Sequence, residues 1–164
     1  MIRINRQTDY AIRLILFLAR REEGERASTT KIQKEMLIPP ALAQRIVANL
    51  ARGNFIITFP GRDGGLTLSR PAREINLRQI VEHFEGKFSI SDCLVDGGDC
   101  PFDNKCPVRF RWVRLQSQIA QELEQVTFED LAKDASSINE LAPLGVSSTS
   151  KRSSKKKQSP SLVV

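Results

Sequence analysis

A mainly α-helical fold carrying one small β-hairpin is the class predicted for this 164-residue chain, and three features predict it. Residues 7–21 read as a helix that is apolar almost all round from Tyr10 to Ala19. Residues 55–68 hold two short β-branched and aromatic runs around a Pro-Gly turn. Residues 107–125 carry a long apolar stripe near seven-residue spacing. Hydrophobic residues make up 40% of the chain, a globular content, and the length suits one domain with an extra arm rather than two full cores.

The first helix is expected at 7–21, with Thr8 as N-cap and Asp9 favourable in the first turn. From Tyr10 to Ala19 only Arg13 is polar, so this helix has to be buried among other elements. The polar run Glu22 to Arg26, with Gly24, ends it. A second helix at about 29–37 starts from Ser28 or Thr29 and puts Ile32 and Met36 on one side. Pro40 opens the third helix, since the missing N–H is not needed at a first helical position. Leu42, Ala43, Ile46, Val47 and Leu50 line its inner face, Gln44, Arg45, Asn49 and Arg52 its outer face, and Gly53 supplies the stop. Two short helices joined by a tight turn fit either a helix-turn-helix or a plain helical hairpin.

The next segment discriminates between them. Residues 55–59 and 66–68 read as strands, and Pro60 to Gly65 as the turn between them. A hairpin directly after a helix-turn-helix makes a winged helix, with Arg62 at the tip of the wing. A fourth helix at 76–85 turns Leu77, Ile80, Val81 and Phe84 inward and carries His83, the one histidine. The stripe of Val108, Trp112, Leu115, Ile119 and Val126, widened by Phe110, Val113 and Leu123, suits a helix that pairs with its copy in a second subunit. Thr127 is expected to cap a last short helix containing Phe128 and Leu131. From Ser136 the composition changes, and Ser147 to Ser161 is dominated by Ser and Lys with no apolar period, which predicts disorder. The expected division is therefore 1–75 for a winged helix-turn-helix, 76–135 for a loop and long dimerisation helix, and 136–164 for a basic tail.

Charge follows the same division. Residues 1–80 carry 14 basic and 7 acidic side chains, 81–135 carry 6 and 11, and 136–164 carry 5 and 1. A basic first half is the footprint of a protein that meets a polyanion. Gln44 and Arg45, on a helix that starts at Pro40, can reach base edges of double-stranded DNA. Arg62, Lys31 and Arg3 can hold its backbone, and the tail can add phosphate contacts. No apolar run is long enough to span a bilayer, and Arg13 interrupts the first apolar segment, so a soluble, cytoplasmic protein with no membrane partner is expected.

All three cysteines lie in one stretch, Cys93 to Cys106, with C-x6-C-x5-C spacing. The stretch is rich in Gly, Asp and Pro and reads as a loop, where thiols can turn toward a common centre. Such a set suits a soft metal or an iron–sulfur cluster; three unrelated free thiols fit poorly, because structural cysteines usually pack on helices or strands. A zinc held by the three cysteines with an Asp or His83 is the second reading. An iron–sulfur electron carrier is a third. Against that third reading, and against a redox enzyme alike, stands the absence of a nucleotide-binding loop, a second redox motif or a catalytic constellation, and no enzyme is expected.

The order of parts, with Thr8-Asp9-Tyr10-Ala11-Ile12-Arg13, the wing Gly61-Arg62-Asp63-Gly64-Gly65-Leu66 and the cysteines, resembles the Rrf-type winged-helix regulators, the IscR/NsrR-like family, over about residues 1–135. The resemblance implies a homodimeric transcription regulator. It implies Cys93, Cys100 and Cys106 as ligands of an iron–sulfur cluster, either 2Fe-2S or 4Fe-4S, that senses nitric oxide, iron or redox state. In one branch the fourth ligand is a His three residues after the last cysteine; Arg109 stands there in this chain and cannot ligate. In another it is a carboxylate early in the first helix from the other subunit, a position that Asp9 matches. The first cysteine gap is six residues where several relatives have five. Pro60 stands where an Arg often precedes the wing glycine, which shifts the expected wing contact to Arg62.

Overall fold

The computed structural model describes residues 3–61, 64–95, 100, 102 and 105–141. Six helices and a two-stranded antiparallel sheet make up the fold: α1 (Arg6–Ala19), α2 (Thr29–Glu35), α3 (Pro40–Arg52), β1 (Ile56–Phe59), β2 (Gly65–Leu68), α4 (Leu77–Glu85), α5 (Pro107–Gln125) and α6 (Phe128–Leu141). Short 3-10 turns at Ala72–Glu74 and Asp92–Leu94 precede α4 and α5.

Helix α1 is the hub. Ala11, Leu14, Ile15, Phe17 and Leu18 are buried, and Tyr10, Ile12 and Leu16 pack against the same core. Its neighbours are α3, α4, α6 and β2, so apolar surface on several sides of one helix is covered by elements from across the chain. The cap differs from expectation: Asn5, not Thr8, is the N-cap, its side chain accepting from the Thr8 N–H at 2.9 Å. Thr8 lies inside the first turn, fully buried. A buried hydroxyl needs a partner, and Thr8 Oγ1 finds Glu85 Oε1 of α4 at 2.8 Å.

Helices α2 and α3 follow the expected bounds, with Ser28 accepting from Lys31 N–H and Pro40 at the start of α3. Leu37, in the turn between them, is 77% exposed and sits at φ 53°. A left-handed leucine costs about 1–2 kcal/mol, so the turn geometry is imposed by the buried Ile32 and Ile38 on either side. In the hairpin Ile56 pairs with Leu68 and Phe59 with Gly65. Ala27 adds a bridge to Leu66, extending the small sheet by one position.

The C-terminal part is tied back to this core. A second bridge joins Asn76 to Thr127, with Phe128 N–H donating to Ile75 O at 2.9 Å and Leu77 N–H to Val126 O at 3.1 Å. Phe128 is fully buried beside α1, together with Ile75 and Ile80. Helix α6 is capped by Thr127, whose Oγ1 accepts from Asp130 N–H while the Asp130 carboxylate accepts from Thr127. The last helix is not short: it has 14 residues and runs through Leu141, beyond residue 136 where the tail was expected to begin. Residues 142–164, with the lysine-rich part of that tail, lie outside the described residues.

Truncating Phe128 leaves a large void where α6 packs on α1 and the Ala72–Glu74 turn. Phe128→Ala is expected to cost about 3–5 kcal/mol in urea unfolding. A loss below about 1 kcal/mol in that measurement means that the C-terminal helix is not docked on the shared core.

Candidate nucleic-acid interface and cysteine segment

Helix α3 buries Ala43, Ile46, Val47 and Leu50 and turns Gln44 and Arg45 outward, both exposed. Pro40 stands at the exposed start of this helix. Lys31 is exposed on α2, its Nζ 4.0 Å from Glu35 Oε1, too loose to hold the ammonium away from another anion. A groove of about 540 Å³ separates α3 from the hairpin, lined among others by Ser28, Thr29, Gln44, Thr58 and Gly64. Hydroxyls, an amide and exposed backbone are the groups that hydrogen-bond phosphate and sugar oxygens. Arg62 at the wing tip lies outside the described residues, and Arg3, before α1, is exposed.

The cysteines are free and half-buried. Cys93 lies in the 3-10 turn Asp92–Leu94, with Ser91 Oγ 3.3 Å from its sulfur, and Cys106 is the residue before α5. Cys100 stands between residues that are not described. Among the described residues no three His, Cys, Asp or Glu side chains gather closely enough to hold one metal ion. Three thiolates suit either a zinc ion or an iron–sulfur core. The donor chemistry fits such a core: the three thiols are unpaired, and none belongs to the hydrophobic core.

The other two ligand candidates are engaged. Asp9 Oδ2 lies 2.7 Å from Arg13 Nη2, a half-exposed pair one turn apart on α1. His83 Nε2 lies 3.0 Å from the Asn49 carbonyl of α3; a carbonyl only accepts, so Nε2 carries the proton. The ring packs edge-on against Phe55 and Phe84. Gly53 permits this approach, since a Cβ there would meet the Phe55 ring at 2.6 Å and His83 Cε1 at 2.7 Å. Arg109, in the first turn of α5, is half-buried.

Sequence reasoning missed what the last turn of α4 does. Glu85 accepts from Asn5 N–H at 2.9 Å as well as from Thr8 Oγ1, fastening the start of α1. His83 fastens the last turn of α3. Arg78 pairs with Glu82 on its own helix and Glu124 on α5, both at 2.9 Å, and these carboxylates raise the guanidinium pKa above its ordinary value. Gly86 then ends α4 and the cysteine segment begins.

Residues 4–134 match the family model Rrf2, described as iron-dependent transcriptional regulator. The chain belongs to the Rrf2 family. It is therefore a transcription regulator and not an enzyme. It is 27% identical over 144 residues to the HTH-type transcriptional regulator NsrR of Oceanobacillus iheyensis, covering 87% of this chain and 97% of that one. It is 30% identical over 145 residues to protein aau3 of Rhizobium meliloti, covering 87% and 93%. The Rrf2 fold is shared with the structure of CymR, the global cysteine regulator of B. subtilis, at TM-score 0.69 and 23% identity over 82% of this chain and 98% of that chain. Six helices with a two-stranded wing match that fold, and no helix among the described residues is long and apolar enough to cross a membrane.

The Thr8–Glu85 bond joins two helices by a charge-assisted contact from a fully buried hydroxyl. Thr8→Val keeps the shape and removes the donor, and a loss of about 1–3 kcal/mol in urea unfolding is expected. A loss under about 0.5 kcal/mol assigns the position to packing alone.

Proposed function

We propose that this Rrf2 regulator binds operator DNA as a homodimer and that an iron–sulfur cluster on Cys93, Cys100 and Cys106 sets its affinity. One observation carries the reading: three unpaired thiols share the segment between α4 and α5, directly after the helix turn bonded to both α1 and α3. When bound, the cluster supplies a centre that reacts with oxidants, nitric oxide or iron chelators. The three thiolates hold it, and Asp9 is the candidate fourth ligand, which requires its carboxylate to leave Arg13.

The chain's own contacts then relate that segment to the DNA. Cys93 lies seven residues after Gly86, the end of α4. Restraint on the segment is felt at α4, whose last turn holds Asn5 and Thr8 through Glu85 and Asn49 through His83. Asn49 is on the helix that presents Gln44 and Arg45, the proposed base readers. Lys31, Pro40, Arg3 and Arg62 are proposed to sit against the phosphate backbone, within residues 1–75. Residues 76–135 carry the cysteines and the pairing helix, and the basic tail adds non-specific phosphate contacts.

Dimerisation is supported by α5. None of its residues is buried, and Val108, Phe110, Trp112, Val113 and Leu115 are all exposed on it. A second copy of the same helix covers such a stripe. Trp112→Glu places a charge in the middle of it and is expected to turn a dimer into a monomer in sedimentation at micromolar concentration. A wild-type chain that sediments as a monomer refutes the pairing.

Purification without oxygen is expected to yield brown protein with visible charge-transfer absorption and bound iron and sulfide. Replacing any one of the three cysteines by serine is expected to bleach it and to change its affinity for a duplex selected by the wild type. Colourless protein holding one zinc per chain supports the structural-metal reading instead. Cluster-loaded and cluster-free protein with equal operator affinity and sequence preference ends the proposal.

A further inference from the structure

We infer that Arg26 is a built contact to a DNA phosphate at the edge of the wing, an inference that rests on the DNA-binding reading above. Four observations lead there. Ala27 exchanges both backbone hydrogen bonds with Leu66, at 2.9 and 2.8 Å, so residues 26–27 run along the outside of β2. One step along, β2 carries Gly65, which pairs with Phe59 of β1. Gly65 has no side chain, and a Cβ there would lie 2.9 Å from Ala27 O. The Arg26 guanidinium carbon lies 3.7 Å from the centroid of the Phe59 ring, across this glycine-bearing edge of the hairpin.

The contact is specific in what it leaves open. The ring covers the guanidinium from one side, and the exposed side chain keeps N–H groups that can donate to a phosphate. Arg26 is exposed and has no carboxylate partner among the described residues, while its neighbour Glu25 is taken by Arg21. Phe59, Gly64 and Gly65 also line the groove that Gln44 enters, so Arg26 stands beside the proposed DNA path. Pro60, the next residue after Phe59, has no backbone N–H to offer an anion there. A cation already held against a ring loses little freedom on binding, which favours a fixed positioning contact over a diffuse charge.

A phosphate contact carries no sequence information. The test uses a fluorescein-labelled duplex that the wild-type chain selects from a random-sequence pool, with affinity read by anisotropy across a salt series. Arg26→Ala is expected to bind about tenfold more weakly, to lower the slope of log affinity on log salt by about one, and to keep the selected sequence preference. Arg26→Lys is expected to keep the slope and recover part of the affinity. Phe59→Leu, with Arg26 intact, is expected to bind several-fold more weakly because the platform is gone. Arg73→Ala, an exposed arginine at the 3-10 turn before α4, serves as the control and is expected to bind as the wild type does. Unchanged affinity and slope in Arg26→Ala overturn the inference, as does an equal loss in Arg73→Ala or an altered sequence preference. A shift in melting temperature with no change in DNA affinity also overturns it, assigning the stack to wing stability. A wild-type chain that selects no duplex overturns the DNA-binding reading itself.

Discussion

The structure depends on the burial of α1. A helix with one charged residue between Tyr10 and Ala19 cannot face water on any broad side. It is covered by the reading head through α3 and β2 and by the C-terminal part through α4 and α6. Ile46 and Leu50 of α3 therefore share one core with Ile80 of α4 and Phe128 of α6, although up to 82 residues separate them in the chain. Packed interiors transmit displacement because they have few voids to absorb it. Helix α4 and the elements on the far side of α1 therefore belong to one packed interior.

That constraint gives meaning to the polar contacts at the last turn of α4. Each is modest in itself, and their arrangement matters more than their energy. Glu85 reaches the start of α1, His83 reaches the end of α3, and Arg78 ties the base of α4 to α5. The helix that immediately precedes the cysteine segment is the one bonded to both sides of the reading head. Coupling between two sites needs an element whose position both of them bias, and in the proposed mechanism that element is α4. The half-exposed Asp9–Arg13 pair, one residue from Thr8, sits at the same junction.

Much of this was legible in the chain. Pro40 and Gly53 bracket α3 as their backbone preferences require, and the β-branched run 56–59 forms the wing strand expected of it. The stripe on α5 is where the spacing put it, left bare in the single chain. The errors were local. Thr8 has the chemistry of a cap, but Asn5 took that place and left the threonine hydroxyl to be satisfied by Glu85, 77 residues away. The last helix looked short because the stretch after Leu131 has few apolar residues, and its Thr127–Asp130 cap marks only the beginning, not the end.

What the sequence determined by itself was whatever neighbouring residues decide: helix and strand periods, caps and stops, the clustering of three thiols, and the sign of charge in each part. These follow from backbone preference and side-chain chemistry within a few turns of chain. Only the tertiary structure decided which polar groups meet. His83 is half ring and half donor, and nothing near it in the chain says that Asn49 O is its acceptor. Arg26 lies in a polar run that reads as a loop, and it meets Phe59 where the bridge at Ala27 brings that run alongside the hairpin. Such pairings depend on register and packing between distant segments, which the composition of either segment does not contain.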